Sequence, residues 1–103
     1  MVYVIAIIAA QPGKREEFLE AYREVVPQVR AEPGCLEYGP LIDLVESDLG
    51  TKYGPDTFVV IGKWDSLEHQ KAHAALRPHM VAFREKTSDL LDHREIHVLS
   101  PVV

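Results

Sequence analysis

Residues 58–73 read FVVIGKWDSLEHQKAH, and this stretch decides the fold because a strand, a tryptophan and a helix follow one another without a linker. The β-branched and aromatic residues of its first half predict a strand that ends at Trp64. Ser66 can accept hydrogen bonds from the first free N–H groups of a helix, so we expect a helix to begin at about Leu67. The chain should therefore bring Trp64 and His73 close together.

In this helical region His73 belongs to an otherwise apolar stripe. It lies about two turns in and is followed, at spacings of three, four and three, by Leu76, Met80 and Phe83. The stripe should face the sheet, so we expect His73 to point inward. A lone histidine on an apolar face is often a core residue, so a structural role and a functional role both stay open.

The remaining elements fall in a clear order. The apolar run Val2–Ala10 predicts a strand that needs cover on both faces, and the helical period from Lys14 to about Arg30 predicts a helix with one apolar face. Pro27 should kink or loosen the last turn of this helix, and Glu32-Pro33-Gly34 closes it. Further along we predict a strand at about 35–45 interrupted by Gly39-Pro40, a polar loop at 46–56, a strand at 57–64, a helical region at 67–91 broken near Arg77-Pro78, and a strand at 93–100.

This order, βαββαβ, predicts an α+β fold of the ferredoxin-like type, with an antiparallel four-stranded sheet and the helices on one face. At 103 residues the chain should form a single domain, 1–103. The other face of the sheet would be apolar and open, and such surfaces usually mark an interface. We therefore expect a homodimer packed sheet against sheet, with the C-terminal segment Pro101–Val103 as a crossing arm.

Composition and charge narrow the classes of partner. Hydrophobic residues make up 47% of the chain, which is not the composition of a disordered protein. The 16 acidic and 11 basic residues give a net charge of −5, and Lys and Arg form no stripe, so we expect no nucleic acid partner. We find no charged leader with a cleavable apolar segment and no membrane-spanning apolar run, so we expect a cytoplasmic protein without a membrane partner. The lone Cys35 forms no internal disulfide, which fits a reducing compartment.

Several short motifs, taken together, resemble the antibiotic biosynthesis monooxygenase (ABM) family, also called the quinol monooxygenase-like group. They are PGK and then EEF at the start of the first helix, GCLEY at 34–38, the strand ending in Trp64, the DS helix start and His73. The resemblance covers nearly the whole chain. It implies a dimeric α+β barrel in which each subunit encloses an apolar pocket, and the oxygenation of a quinol or polycyclic phenol by O2 without metal or flavin.

The family that the chain resembles is mixed in function. Some similar chains degrade haem, which would call for an asparagine on the first strand that Val2–Ala10 lacks. Others isomerise a small phosphorylated sugar-like molecule. Two alternatives therefore stay open: a small hydroxyketone isomerase, and a non-catalytic ligand-binding or stress-related dimer. The segment Ser47–Pro55 is longer than the usual turn and can cover a pocket mouth or extend the dimer contact.

Oxygenation of a quinol needs an apolar slot, a base and donors to the resulting anion, because a deprotonated electron-rich ring can pass an electron to O2. His73 is the predicted base, since an ordinary imidazole titrates near pH 6.5. His73 and Trp64 form the predicted catalytic pair. The residues predicted to contact a small aromatic or quinol-like substrate are Tyr22, Tyr38, Met80, Phe83, His79 and Arg84.

No metal or other cofactor is predicted. His69 and His73 are four apart and can share a helix face, but the sequence HQKAH lacks the glutamate of a metalloprotease motif and offers no obvious third ligand. His93 and His97 should be about 13 Å apart along a strand, which is too far for one ion. Cys35 has no sequence-evident base that would make it a nucleophile.

Overall fold

The computed structural model describes all 103 residues and has the predicted ferredoxin-like α+β fold. Its antiparallel sheet has the strand order β2-β3-β1-β4, formed by β1 (Val2–Ala10), β2 (Cys35–Leu41), β3 (Thr57–Trp64) and β4 (Leu91–Leu99). One face of the sheet carries α1 (Arg15–Arg30), α2 (Leu67–Leu76) and α3 (Pro78–Thr87), followed by a 3₁₀ turn at Ser88–Leu90. No helix has the length and apolar character needed to span a membrane.

The register of β1 and β3 decides which side chains meet the helices. Val2 pairs with Trp64 and Ile8 pairs with Phe58, so the even-numbered residues of both strands point to the helical side. There Phe58 meets Phe18 of α1, with ring centroids 5.1 Å apart. The apolar stripe predicted for α1 is buried in this core and consists of Phe18, Tyr22, Val25, Val26 and Val29.

Helix α1 does not end at Pro27. It continues to Arg30, and the N–H group of Ala31 still donates to the Pro27 carbonyl at 3.2 Å. Proline removes one backbone donor, which costs one hydrogen bond. Because Val26 and Val29 are buried on either side of Pro27, tertiary packing holds the last turn in place.

Two predicted strand bounds are wrong. Strand β2 ends at Leu41 rather than near Val45, and residues 42–56 form a loop. In this loop the Asp43 carboxylate accepts the N–H groups of Tyr53 and Gly54 at 3.0 and 2.9 Å, which replaces strand pairing by a side-chain tie. Strand β4 begins at Leu91 rather than at residue 93, directly after the 3₁₀ turn.

The predicted stripe through α2 and α3 is also broken. His73, Met80 and Phe83 are buried, whereas Leu76 is 73% exposed. Arg77 has an extended backbone (φ −87°, ψ 120°), which ends α2 and gives the axis of α3 a different direction. Because the two helices are not collinear, the spacing of three between His73 and Leu76 does not continue onto the face that Met80 occupies.

Candidate active site

A cavity of about 300 Å³ lies between the helical side of the sheet and helices α2 and α3. This volume is at the lower end of the roughly 300–1,000 Å³ range of small-molecule sites. Ten of the fifteen lining residues are hydrophobic, so the cavity is mainly apolar. The lining residues are Val4, Ala6, Ile8, Tyr22, Tyr38, Val60, Gly62, Trp64, Gln70, His73, Ala74, Met80, Arg84, Arg94 and Ile96.

Trp64 and His73 meet at this cavity, as predicted from the strand-to-helix connection. Ser66 caps α2, and its hydroxyl accepts the N–H group of His69 at 3.2 Å. With the start of α2 fixed, the imidazole of His73 lies with its ring centroid 4.8 Å from that of Trp64 and 5.3 Å from that of Tyr38. The imidazole is thus held between two aromatic rings.

Glu32 is the polar centre behind His73. Its carboxylate is buried, with 3% of the side chain exposed, and one oxygen lies 3.0 Å from Nδ1 of His73 and 2.7 Å from Nε2 of His79. The other oxygen accepts from Nε of Arg77 at 3.2 Å. Arg77 provides the opposite charge that a buried carboxylate needs. A buried network with every member paired is rigid, so Glu32 fixes the position of His73.

The turn around Glu32 is pinned to α2. Gly34 has a φ of +80°, and a Cβ at this position would lie 2.3 Å from Cγ of His69. Its carbonyl accepts the N–H group of Asp65 at 2.8 Å. Only glycine fits such a backbone conformation at such a close approach. The contact between His69 and Gly34 therefore brings Glu32 to the helix that carries His73.

The geometry assigns the tautomer of His73. A carboxylate only accepts hydrogen bonds, so Nδ1 carries the proton and Nε2 has the lone pair. Burial lowers the pKa of His73 below the usual 6.5, although Glu32 opposes this by raising it. The imidazole is therefore neutral at pH 7. Nε2 has no hydrogen-bond partner in the chain. Every fully buried polar side-chain atom of the protein does have a partner, so Nε2 is accessible, and it opens onto the cavity that His73 lines.

Two tyrosines add hydroxyl groups to the site. Burial raises the pKa of both Tyr22 and Tyr38, so both phenols stay protonated and can donate. Neither hydroxyl has a hydrogen-bond partner within the chain. Both are accessible, because no fully buried polar side-chain atom of the protein lacks a partner. Both tyrosines line the cavity, so they offer two free donors beside the neutral imidazole.

Gly62 makes room for the indole of Trp64. A Cβ on Gly62 would lie 3.0 Å from Nε1 of Trp64 and 3.6 Å from Cδ1 of Tyr38. Trp64 is only 1% exposed, yet Nε1 has no hydrogen-bond partner and is not sealed off. The small exposed part of the indole therefore includes its N–H group, at the cavity wall.

The structure brings six of the eight predicted site residues to the cavity and leaves two outside it. The six are Trp64, His73, Tyr22, Tyr38, Met80 and Arg84. Phe83 packs behind Tyr22, with ring centroids 4.5 Å apart, and does not line the cavity. His79 is turned to Glu32 and also lies outside. The break at Arg77 explains both positions, because α3 has its own direction.

The sequence reasoning did not single out Glu32 or Arg94. Glu32 was predicted only to belong to the turn that closes the first helix. Its three donors lie 41 to 47 residues further along the chain. Nothing local in the sequence signals that contact. Arg94 did leave a signal, since strand alternation puts it on the same face as Ile96 and Val98, where an arginine is unusual.

The other polar residues weighed in the sequence point elsewhere. Nδ1 of His69 lies 2.7 Å from Oγ of Ser66 on its own helix cap. His93 and His97 lie on the exposed side of β4, near Asp92 and Glu95 respectively. Burial, followed by the nearby Glu32, raises the pKa of Cys35, so this thiol stays protonated and is a poor nucleophile.

Comparison with known proteins gives consistent matches in sequence. The profile of the family described as "Antibiotic biosynthesis monooxygenase" matches residues 1–86. The chain is 34% identical over 103 residues to the protein named "Probable quinol monooxygenase YgiN" of Escherichia coli, and the match covers 98% of each chain. It therefore has a full-length relative whose name specifies a quinol.

Solved structures agree with the fold. The crystal structure of PA3566 from Pseudomonas aeruginosa has a TM-score of 0.82 at 26% identity, covering 99% of this chain and 94% of the other. A crystal structure titled only as antibiotic biosynthesis monooxygenase has a TM-score of 0.81 at 25% identity and covers all of both chains. The same arrangement of sheet and helices thus extends over the whole length.

Proposed function

The chain belongs to the antibiotic biosynthesis monooxygenase family, and we propose that it oxygenates a quinol or a related phenol with O2, using His73 as general base. One observation carries the proposal. A neutral imidazole, fixed through Nδ1 by a buried carboxylate, presents its free nitrogen to an apolar cavity beside two tyrosine hydroxyls. This arrangement provides the base, the donors and the slot that the reaction requires.

The first step is proton transfer from the substrate hydroxyl to Nε2 of His73. The phenolate that forms accepts hydrogen bonds from Tyr22 and Tyr38. Glu32 stabilises the imidazolium, because its carboxylate already accepts the hydrogen bond from Nδ1. Ten of the fifteen lining residues are hydrophobic, and such surroundings strengthen each of these interactions relative to bulk water.

The substrate itself provides the electrons. The phenolate passes one electron to O2, and the two radicals combine into a C–O bond, giving a peroxide on the ring. His73 returns its proton to the outer oxygen, which gives a hydroperoxide. The ring carbon that bears it then loses its hydrogen as a proton while the O–O bond breaks, so that this carbon becomes a carbonyl and the outer oxygen leaves with both protons as water. Overall a quinol and O2 give a hydroxyquinone and water, so four electrons leave the ring and one oxygen atom stays on it.

The test is oxygen uptake by metal-stripped protein with a panel of quinols, naphthols and anthrones. The proposal expects catalysed uptake above the spontaneous rate, with one atom of ¹⁸O from labelled O2 in the product. Release of hydrogen peroxide in place of incorporation would replace oxygenation by simple oxidation. No uptake, in protein that still binds several of these compounds, would favour an isomerase or a binding protein.

The pH profile gives a second, independent expectation. A general base works in its deprotonated form, and burial lowers the pKa of His73. We therefore expect kcat/KM to rise on an acid limb centred below pH 6.5 and to be level by neutral pH. The measurement is steady-state uptake from pH 5 to 8 with a substrate whose own hydroxyl titrates well above this range. An acid limb above pH 7 would contradict a buried neutral imidazole as the base.

We also propose a homodimer packed through the open face of the sheet, with the C-terminal Pro101–Val103 crossing to the second copy. Support comes from the central strands β1 and β3 and the end of β2, whose side chains on that face are mostly apolar: Tyr3, Ile5, Ile7, Leu41, Val59 and Ile61. Sedimentation equilibrium should give twice the mass of one chain. The variant Ile7→Lys should sediment as a monomer, whereas Val81→Lys, a matched change at an exposed residue of α3, should not.

A further inference from the structure

Two arginines of the cavity have no acidic partner. Arg84 of α3 donates one N–H group to the carbonyl of Ala74, and Arg94 of β4 makes no hydrogen bond or ion pair within the chain. Acidic residues outnumber basic residues by 16 to 11 in this protein, yet none of the cavity residues is Asp or Glu. The site is thus locally positive in a negatively charged chain.

Both arginines line two adjoining hollows. A second hollow of about 220 Å³ adjoins the cavity and shares four of its lining residues, which are Ile8, Tyr22, Arg84 and Arg94. It too contains no acidic residue. Tyr22 lines both hollows together with the two arginines, and their charge partly offsets the effect of burial on the pKa of its phenol. An anion at this junction would meet two cations and a phenol donor.

Arg94 also occupies an unexpected position for a surface arginine. It pairs with Ile8 on the helical side of the sheet, on the same face as Ile96 and Val98. Arginine binds carboxylates through two parallel hydrogen bonds, a geometry that lysine lacks. An exposed guanidinium on an otherwise apolar face, without a partner in the chain, is therefore suited to an anionic group of a ligand.

We infer that the substrate is an aromatic acid: a phenol or quinol whose ring also bears an ionised carboxylate, bound between Arg84 and Arg94 while the ring hydroxyl faces Nε2 of His73. This inference rests on the proposed function. The carboxylate fixes the orientation of the ring, so that the correct hydroxyl meets the base. A cavity of about 300 Å³ limits the ring system to a size near two fused rings.

The test measures binding without turnover, under argon. Trp64 is the only tryptophan and lines the cavity, so its fluorescence reports occupancy. The probes are 1-hydroxy-2-naphthoate and its neutral amide, which have nearly the same shape. We expect the acid to bind at least about tenfold more tightly, as charge-assisted hydrogen bonds predict. Arg94→Gln should abolish this preference and leave the affinity for the amide within twofold.

The control is Arg23→Gln, an arginine of α1 whose ion pairs with Glu16 and Glu20 are exposed. It should keep the preference for the acid. Equal binding of acid and amide by the unmodified protein, a preference that survives Arg94→Gln, or no binding of either probe would each overturn the inference. So would a weaker dimer in Arg94→Gln with the preference intact, since Arg94 would then pair with a second copy. If the unmodified protein consumed oxygen with quinols but showed no preference for the acid over the amide, this inference would be wrong and the proposed oxygenation would stand.

Discussion

The variant His73→Ala should lower kcat for quinol oxygenation by about 10²–10⁴-fold, the usual contribution of a general base. His73 is the residue whose unprotonated nitrogen faces the cavity, and the tyrosines there are protonated donors. Neither tyrosine can replace it as a base at neutral pH. Affinity for a quinol should change much less, because the apolar walls remain. The measurements are oxygen uptake and anaerobic binding on the same preparation.

A matched control is available on the same helix. Lys71→Ala truncates an exposed side chain of α2 that makes no hydrogen bond or ion pair and does not line the cavity. Its kcat should stay within about threefold of the unmodified protein. Added imidazole should restore part of the activity of His73→Ala, since the vacated space adjoins the cavity. A fall of less than tenfold in His73→Ala, with the fold intact by circular dichroism, would show that another group takes the proton.

The elements that local chemistry specifies were predictable from the sequence. Strand β3 has the predicted bounds, Thr57–Trp64, because its side chains alternate between buried and half-buried and polar residues flank it. Helix α2 begins where the Ser66 cap requires. Together these two elements were enough to predict that Trp64 and His73 meet.

The contacts that the fold itself creates were not predictable. Glu32 reaches His73 across 41 positions of sequence, through a turn that depends on the approach of Gly34 to His69. Asp43 lies in the region where β2 was predicted to continue. Its carboxylate instead accepts hydrogen bonds from backbone N–H groups ten and eleven positions away. Periodicity describes one element at a time, and these interactions join separate elements.

Leu76 is a single residue for which periodicity predicted the wrong environment. Its spacing from His73 fits a continuous helical stripe, but the extended backbone at Arg77 interrupts the helix. The proline at position 78 signalled the interruption without giving the new direction of α3. A stripe counted through such a break is unreliable, and this is why Phe83 was predicted to line the cavity.

Glu32→Gln should lower kcat by about 10²-fold, because a buried carboxylate that orients an imidazole determines which nitrogen holds the proton. An amide accepts through only one oxygen and donates through its nitrogen. If that nitrogen faces Nδ1 of His73, the imidazole shifts its proton to Nε2 and can no longer accept one from the substrate. Glu32 also raises the pKa of His73, so the acid limb of the pH profile should move to lower pH in the variant.

The free energy of unfolding should fall in the variant Glu32→Ala, because His73, Arg77 and His79 lose their common acceptor. Breaking a buried ion pair typically costs about 3–5 kcal/mol, and we expect Glu32→Ala near the lower end because the Arg77 side chain is 30% exposed and can be hydrated. Urea unfolding measures this cost. Glu24→Gln is the matched control, because this acid lies on the surface of α1 and pairs only with Lys86. Its stability should change by less than about 1 kcal/mol.

A double-mutant cycle separates positioning from general damage to the fold. If Glu32 acts through His73, adding Glu32→Gln to His73→Ala should lower kcat by less than about threefold, although the same change alone lowers it about 10²-fold. Independent effects would multiply, and a further 10²-fold loss in the double variant would contradict the orienting role. Glu32 then would stabilise the turn before β2 and nothing more. The cycle is informative only at temperatures where urea unfolding shows each variant to be folded, because a partly unfolded variant would lose activity in either case.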